Sequence, residues 1–406
     1  MRTPETIREV VENGLCIGCG LCQAIAPDRW VMRMTNEGRL RPASVVEDID
    51  LDKEILLSCP GSVVSANGES APNHDDVWGG YTSMTRAWAG DPDTRFRAAT
   101  GGVLTAVGMW LLETGRAEFV LHCASDPDAP MRSAWAISET TEQVFRRAGS
   151  RYGPTDTLAG LEKALSRRQP FAIIAKPCDA NAIRSRANTD PRIEDYVVAI
   201  LVMVCGGASD LGKSQAILEE LNIEEQEVAL FRYRGFGNPG PTRVETSDGR
   251  AFEKSYQEMW ADEAGWRIQT RCKLCPDAIG EAADLASADI WPGGTPVGED
   301  AGFNGVICRT ARGQALLDGA LADGALVADH AITPRDFDDF QPHQVRKKRA
   351  IAARLRGLTN AGSPVYSHSG LRIDELDDGN SNDEQGAEHR VRSGRFSEIL
   401  PSATEK

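Results

Sequence analysis

Ten of the 406 residues are cysteines, and most of them stand at spacings suited to metal ligation. Cys16, Cys19 and Cys22 form C-x2-C-x2-C, and Cys59 is followed at once by Pro60. Three thiolates at that spacing wrap three corners of an iron–sulfur cubane, and a remote Cys-Pro is the usual form of the fourth ligand. Gly18 and Gly20 suit the tight loop, where positive φ is expected. Zinc is the competing chemistry, since C-x2-C also makes a zinc knuckle. Zinc sites rarely combine so dense a cysteine run with a distant Cys-Pro.

A second set emerges further along. Cys178 closes the apolar, strand-like "FAIIAKPC", and Cys205 closes "DYVVAILVMVC". Two buried strands ending in cysteine would bring both thiols to the carboxyl edge of an open α/β sheet, where such sheets bind ligands. Cys272 and Cys275 supply another C-x2-C and complete four. Cys178 or Cys205 taken alone also reads as a buried core thiol. Cys123 and Cys308 have no partner at ligand spacing and are assigned to the core.

Two stretches without cysteine could hold a cofactor. "FRAATGGVLTAV" sets Arg97, Thr100, Gly101, Gly102 and Thr105 at a predicted helix start. Free N–H groups there can receive phosphate oxygens, or Thr100 can simply cap the helix. "YRGFGNPGPTR" contains G-x-G-x-x-G at Gly235, Gly237 and Gly240. Pro239 and Pro241 forbid the helix a dinucleotide fingerprint needs, and "TRVETSDGR" reads as a hairpin. With Arg232, Arg234 and Arg243 the loop can line an anionic cofactor or be an ordinary turn.

The elements that must position these residues alternate. Helical "GGVLTAVGMWLLETGR" and "TLAGLEKALSRR" separate strand-like "EFVLHCAS", "MRSAWAIS", "PFAIIAKPC" and "DYVVAILVMVC", which predicts an α/β core with antiparallel additions, mixed α+β overall. Residues 66–76 read as a linker. "HQVRKKRAIAARLRGL" is a basic closing helix that packs Ile351 and Leu355 and leaves its charges solvated. From Gly370 the chain is polar and acidic, which predicts a disordered tail over 370–406. Residues 1–66 form the first predicted domain, and 77–168 and 169–360 the two parts of the core.

Composition excludes several classes. A chain that is 41% hydrophobic and 26% charged folds as a globule, and a net charge of −15 argues against nucleic acid. No apolar run approaches the ~20 residues of a membrane span, so no membrane insertion is expected. Without an export signal the expected setting is cytoplasmic, with thiols reduced.

The stretch from "CIGCGLCQAIAP" to "LLSCPGSVVS" resembles a single-cluster ferredoxin, with Ala26 where a two-cluster ferredoxin has another cysteine. Over residues 78–350, "RAATGGVLTAV", "AGSRYGPT", "AKPCDANAIR", "VCGG", "YRGFGNPGPT", "RCKLCPD" and "ADIWPGG…GFNGVICRTARG" follow in an order that resembles the coenzyme F420 hydrogenase/dehydrogenase beta-subunit family. That family includes stand-alone reductases of chlorophyll metabolism. The resemblance implies that Cys178, Cys205, Cys272 and Cys275 ligate a [4Fe–4S] cluster beside FAD. It also turns Thr100, Gly101, Gly102, Arg151 and Tyr152 toward the flavin. Two departures, the long span from Cys22 to Cys59 and the Trp291-Pro292 pair, keep F420 and chlorophyll pigments from being carried over as substrates.

The expectation is therefore an oxidoreductase. Electrons from ferredoxin or another low-potential donor pass through two [4Fe–4S] clusters to FAD, which reduces a small organic substrate. Asp179 and Asp277, each close to a ligand cysteine, are loose candidates for a general acid, and a homo-oligomer is allowed. The alternative is an electron-transfer beta subunit of a hydrogenase or dehydrogenase complex, using F420.

Overall fold

The computed structural model describes residues 1–46, 53–67, 71–260 and 262–403. Its centre is an eight-stranded sheet: β1 (Ser83–Ala89), β2 (Phe119–Ser125), β3 (Ser133–Ser138), β4 (Phe171–Ala175), β5 (Val197–Met203), β6 (Leu285–Asp289), β7 (Asn304–Cys308) and β8 (Leu326–Ala331). Across the sheet the order is β8-β1-β7-β6-β5-β4-β2-β3. The four inner strands β6, β5, β4 and β2 run parallel, and antiparallel strands extend both edges.

β4 and β5 are near-continuous apolar runs because both faces are covered. Alternate residues serve two cores. Ile173, Ile200 and Val202 belong to one, while Ala172, Ala199 and Leu201 belong to the other. Helix α1 (Val103–Glu113) packs Val107 and Leu111 into the second core. Helix α2 (Pro177–Ala187) packs Ala180 and Ile183 into the first. α2 starts directly after β4, with Pro177 at its first turn, where a missing N–H costs nothing.

Two smaller sheets flank this core. Trp30–Met34 and Leu40–Ser44 form a hairpin behind the first cysteines. Val228–Arg232, Thr242–Thr246 and Ala251–Lys254 form an antiparallel three-stranded sheet, so the glycine-rich loop leads into a hairpin. Of the expected linker, residues 68–70 lie outside the described residues; Asn73–Asp75 pairs with Gly79–Tyr81.

The tail differs from the expectation of disorder. Just ahead of it Ser367–Ser369 pairs with Val63–Ser65, and within it helix α4 (Ser381–Arg392) packs on helix α3 (Pro342–Asn360). A Cβ at Gly357 would stand 2.1 Å from the Glu384 carbonyl oxygen, so glycine permits the close approach. The charges that made both segments look solvated neutralise each other. Arg354 pairs with Asp383, and Arg356 with Asp377 and Glu384. Leu371, Ile373, Ala387 and Phe396 are buried beneath them. Sparse apolar residues suffice because an oppositely charged helix waits beside them.

Beyond α4, Glu398 receives Arg41 at 2.5 Å and Arg39 at 2.7 Å. Arg41 is fully buried. Glu398→Gln is expected to cost on the order of 3 kcal/mol, since it leaves a buried guanidinium short of its counter-charge. Urea denaturation measures it, and an unchanged midpoint would rule out a structural role for the pair.

Candidate redox site

The N-terminal thiols meet around one small cavity lined by Cys16, Cys19, Cys22 and Cys59 together with Ile7, Val10 and Ile55. Gly18 and Gly20 both adopt positive φ, at 72° and 86°. A Cβ on Gly18 would stand 2.3 Å from the Leu40 carbonyl oxygen, so glycine lets this loop fold against the hairpin. Backbone N–H groups point at the sulfurs. Gly18 donates to Cys16 Sγ at 3.3 Å, and Gly61 and Ser62 face Cys59. Burial pushes the Cys59 thiol up to about 12, and Cys19 and Cys22 rise well above the usual thiol range for the same reason. These groups gain thiolate character by ligation rather than by titration. An N–H-rich, largely shielded, all-sulfur donor set fits an iron–sulfur group.

The second four lie within electrostatic reach of one another, although among the described residues no three of them stand close enough to hold a single metal ion. Cys178 sits on the first turn of α2 beyond β4, and Cys205 just beyond β5. Parallel neighbours end at the same edge, so the sheet itself brings these thiols together. Cys272 and Cys275 reach them around the short helix Thr270–Lys273. Cys275 and Cys205 lie close enough to disfavour charge on Cys178, and Cys272 and Cys275 do the same for Cys205. Burial is the larger cause and pushes Cys205 up to about 11. Ala208 donates its N–H to Cys272 Sγ at 3.3 Å.

Cys205 and Cys272 also form part of the wall of a cavity of about 1180 Å³. That is ample for a dinucleotide flavin. Gly102, Val103, Leu104 and Thr105 at the start of α1 line it, as do Thr100, Arg151 and Tyr152. Arg97, Gly101, Gly235, Gly237 and Gly240 do not. Arg97 lies over the Phe145 and Phe236 rings at 4.8 and 5.4 Å. Gly101 fits against Asn304, and the 235–240 loop packs on the Arg97 backbone. The Arg151 guanidinium is spent on carbonyls of Phe231, Pro130, Met131 and Arg132. Arg232 and Arg243 turn to Phe236 and to Glu245 and Glu253.

The cavity floor joins Arg234, Thr100 and Tyr152, which the sequence offered for a cofactor, to Asp289, Tyr256, Trp260 and Trp266, which spacing did not single out. Arg234 is buried and donates to Asp289 at 2.9 Å, Tyr152 at 3.2 Å and Thr100 at 3.2 Å. Thr100 does not cap α1. Gly102 occupies that position, and the Thr100 hydroxyl bonds Asp289. Tyr256, Trp260, Trp266 and Trp291 add an aromatic wall, with Trp291 held over Arg234 at 4.9 Å. Asp179 and Asp277 lie off the lining. Asp179 is buried against Lys176 at 2.8 Å, and Asp277 accepts the Glu281 N–H. Asp289, at the carboxyl end of β6, is the carboxylate of the floor; its signal was its position in "ADIW". The two remaining cysteines part company. Cys308 is fully buried, as expected, whereas Cys123 is half-buried on the cavity wall, because it lies at the open carboxyl end of β2.

His122, also on that wall, shares a hydrogen bond of 2.7 Å with the Ser138 hydroxyl, and Arg147 donates to the same hydroxyl at 2.7 Å. Burial first, and Arg147 second, push the imidazole down from 6.5 to about 4. The native chain therefore binds this proton later than the unfolded chain. Its contribution, on the order of 3 kcal/mol, is complete above about pH 6.5 and is lost as pH falls toward 4. Denaturation of wild type and His122→Gln across that window should show the wild-type dependence flattened in the variant.

A cysteine set at the carboxyl edge of a mixed sheet, beside a large cavity, suits a protein to electron transfer. Residues 84–162 match the N-terminal part of the family described as "Coenzyme F420 hydrogenase/dehydrogenase, beta subunit", and residues 169–333 match its C-terminal part. The chain belongs to this family of oxidoreductase subunits. One subunit of the F(420)H(2) dehydrogenase of Methanosarcina mazei is 22% identical, over 78% of this chain and 85% of its own length. A ferredoxin of Thermococcus litoralis is 34% identical over 14% of this chain and 90% of its own. The fold matches a chain in the F420-reducing [NiFe] hydrogenase complex from Methanosarcina barkeri, with TM-score 0.56 and 20% identity over 72% of this chain and 98% of that one. No helix among the described residues is long and apolar enough to cross a membrane.

Proposed function

We propose that the chain is the electron-transferring beta-type subunit of a larger oxidoreductase, with [4Fe–4S] groups on Cys16, Cys19, Cys22 and Cys59 and on Cys178, Cys205, Cys272 and Cys275, and FAD in the large cavity. The observation that carries this is the presence of Cys205 and Cys272 on the cavity wall, which sets the second cysteine group against the space for the flavin. The start of α1 would receive the phosphates, and the aromatic wall with Arg234 and Asp289 would border the ring system and its reaction partner. Iron–sulfur groups exchange single electrons, and a flavin converts these to the two-electron chemistry of an organic carrier, here F420.

The relatives are subunits of hydrogenases and dehydrogenases, which favours this reading over a self-contained reductase fed by ferredoxin. Anaerobic purification with iron, sulfide and flavin analysis tests it. The expected content is roughly eight irons per chain with a bound flavin. Reduced F420 should bleach that flavin, and the tagged chain, expressed in its own cells, should bring down another component of a hydrogenase or dehydrogenase. Zinc without iron or flavin would overturn the reading. A purified chain that reduces a conjugated organic substrate from dithionite or ferredoxin alone would restore the self-contained reductase.

A further inference from the structure

Arg271 is 2% exposed, and among the described residues no carboxylate pairs with it. Its guanidinium donates instead to carbonyls. Nε and Nη2 reach the Pro60 oxygen at 3.2 and 2.8 Å, and Nη1 reaches the Leu274 oxygen at 3.2 Å. The group lies over the Tyr366 ring at 4.5 Å, and the Tyr366 hydroxyl donates to the same Leu274 carbonyl at 2.7 Å. Pro60 directly follows Cys59, and Arg271 directly precedes Cys272. One side chain thus ties the Cys-Pro loop of the first cysteine set to the C-x2-C turn of the second. Its charge is felt at Cys59 on one side and at Cys178, Cys272 and Cys275 on the other.

A buried guanidinium is costly unless an anion compensates it. Arg41, the other buried arginine between the sets, has Glu398. Among the described residues, Arg271 has the two groups of thiols instead, which become anionic on ligation.

We propose that Arg271 is a counter-charge shared by both cysteine sets and the bridge over which electrons pass between them. The inference rests on reading both sets as iron–sulfur centres. Each transfer oxidises one centre by one electron and reduces the other by one, and no proton moves. Because both centres border the same cation, the total charge facing Arg271 is unchanged by the transfer, so the guanidinium stays compensated before and after it.

The test is an anaerobic redox titration of the full chain followed by EPR, on wild type, Arg271→Lys and Arg271→Met, with iron counted in each. Both midpoint potentials should fall together in Arg271→Met, because removing a cation favours the more oxidised state of each centre. Arg271→Lys, which keeps the charge, should lie between that variant and wild type. In wild type the two reduced centres should broaden each other's signals, as centres separated by one side chain must. A shift confined to one centre, or none with iron intact, overturns the proposal. Should Arg271→Met lose iron, the wild-type spectrum decides: two reduced centres without mutual broadening exclude the bridge. Wild type without iron removes the iron–sulfur reading itself, and this inference with it.

Discussion

Cys178→Ala is expected to remove roughly half of the iron from the purified chain, about four atoms, and to leave the N-terminal centre's EPR signal in place. The reason is positional. Cys178 is delivered by the β4-to-α2 turn, half-buried, and set among Cys205 and Cys275, so its loss leaves three sulfurs and a gap in an apolar surround. Cys16, Cys19, Cys22 and Cys59 stand around their own cavity and are untouched by the change. Cys308→Ala serves as the comparison, because that thiol is buried in the sheet and donates to the Gly313 carbonyl. It should leave iron unchanged. Full iron content in Cys178→Ala would show that the second set had been assigned wrongly.

Arg234→Met is expected to destabilise the fold by about 3 kcal/mol, because it takes the counter-charge from the Asp289 carboxylate at the cavity floor and leaves it only the Thr100 hydroxyl. The lower end of the range for broken buried pairs applies, since the Asp289 side chain retains 25% exposure while Arg234 has 3%. Methionine also loses the cation between the Trp291 and Tyr256 rings. Asp289→Asn in the same chain should recover part of the loss, because a neutral amide does not need the guanidinium. Urea denaturation of the two single variants and the double variant isolates the pair. A loss within about 1 kcal/mol for Arg234→Met would class the contact with ordinary surface ion pairs. The same variant should bind flavin more weakly, which fluorescence of the released cofactor reports.

The parts of the site that could be read from the chain are those whose order along it equals their order in space. The N-terminal cysteines and the second C-x2-C are local motifs, and their spacing already states which sulfurs turn inward. Strand β4 ending at Cys178 and β5 ending at Cys205 needed one further step. Parallel neighbours finish at the same edge, so two cysteines 27 positions apart become neighbours. The glycine-rich loop shows the opposite case. Gly235, Gly237 and Gly240 have the spacing of a phosphate loop, yet no helix follows, and they close a turn against the Arg97 backbone. Arg151 misleads in another way: the arginine is on the cavity wall, but its donors are already taken by backbone oxygens.

Residue types and spacing alone determined which thiols to set side by side, the α/β class and the reason to expect electron transfer. Which side chains line the cavity was decided only in three dimensions, where Thr100, Tyr152, Arg234 and Asp289 form one hydrogen-bonded group drawn from four segments. The tertiary structure also decided the fate of the C-terminal segment. An acidic stretch looks unfoldable by itself, because its own apolar residues are too few to offset the entropy of ordering. Against the basic helix α3, with Arg354 and Arg356 in reach, and with Arg41 far away in sequence waiting for Glu398, the same residues have a surface to settle on. Charge spacing along a chain records local repulsion; the partner that cancels it is visible only after folding.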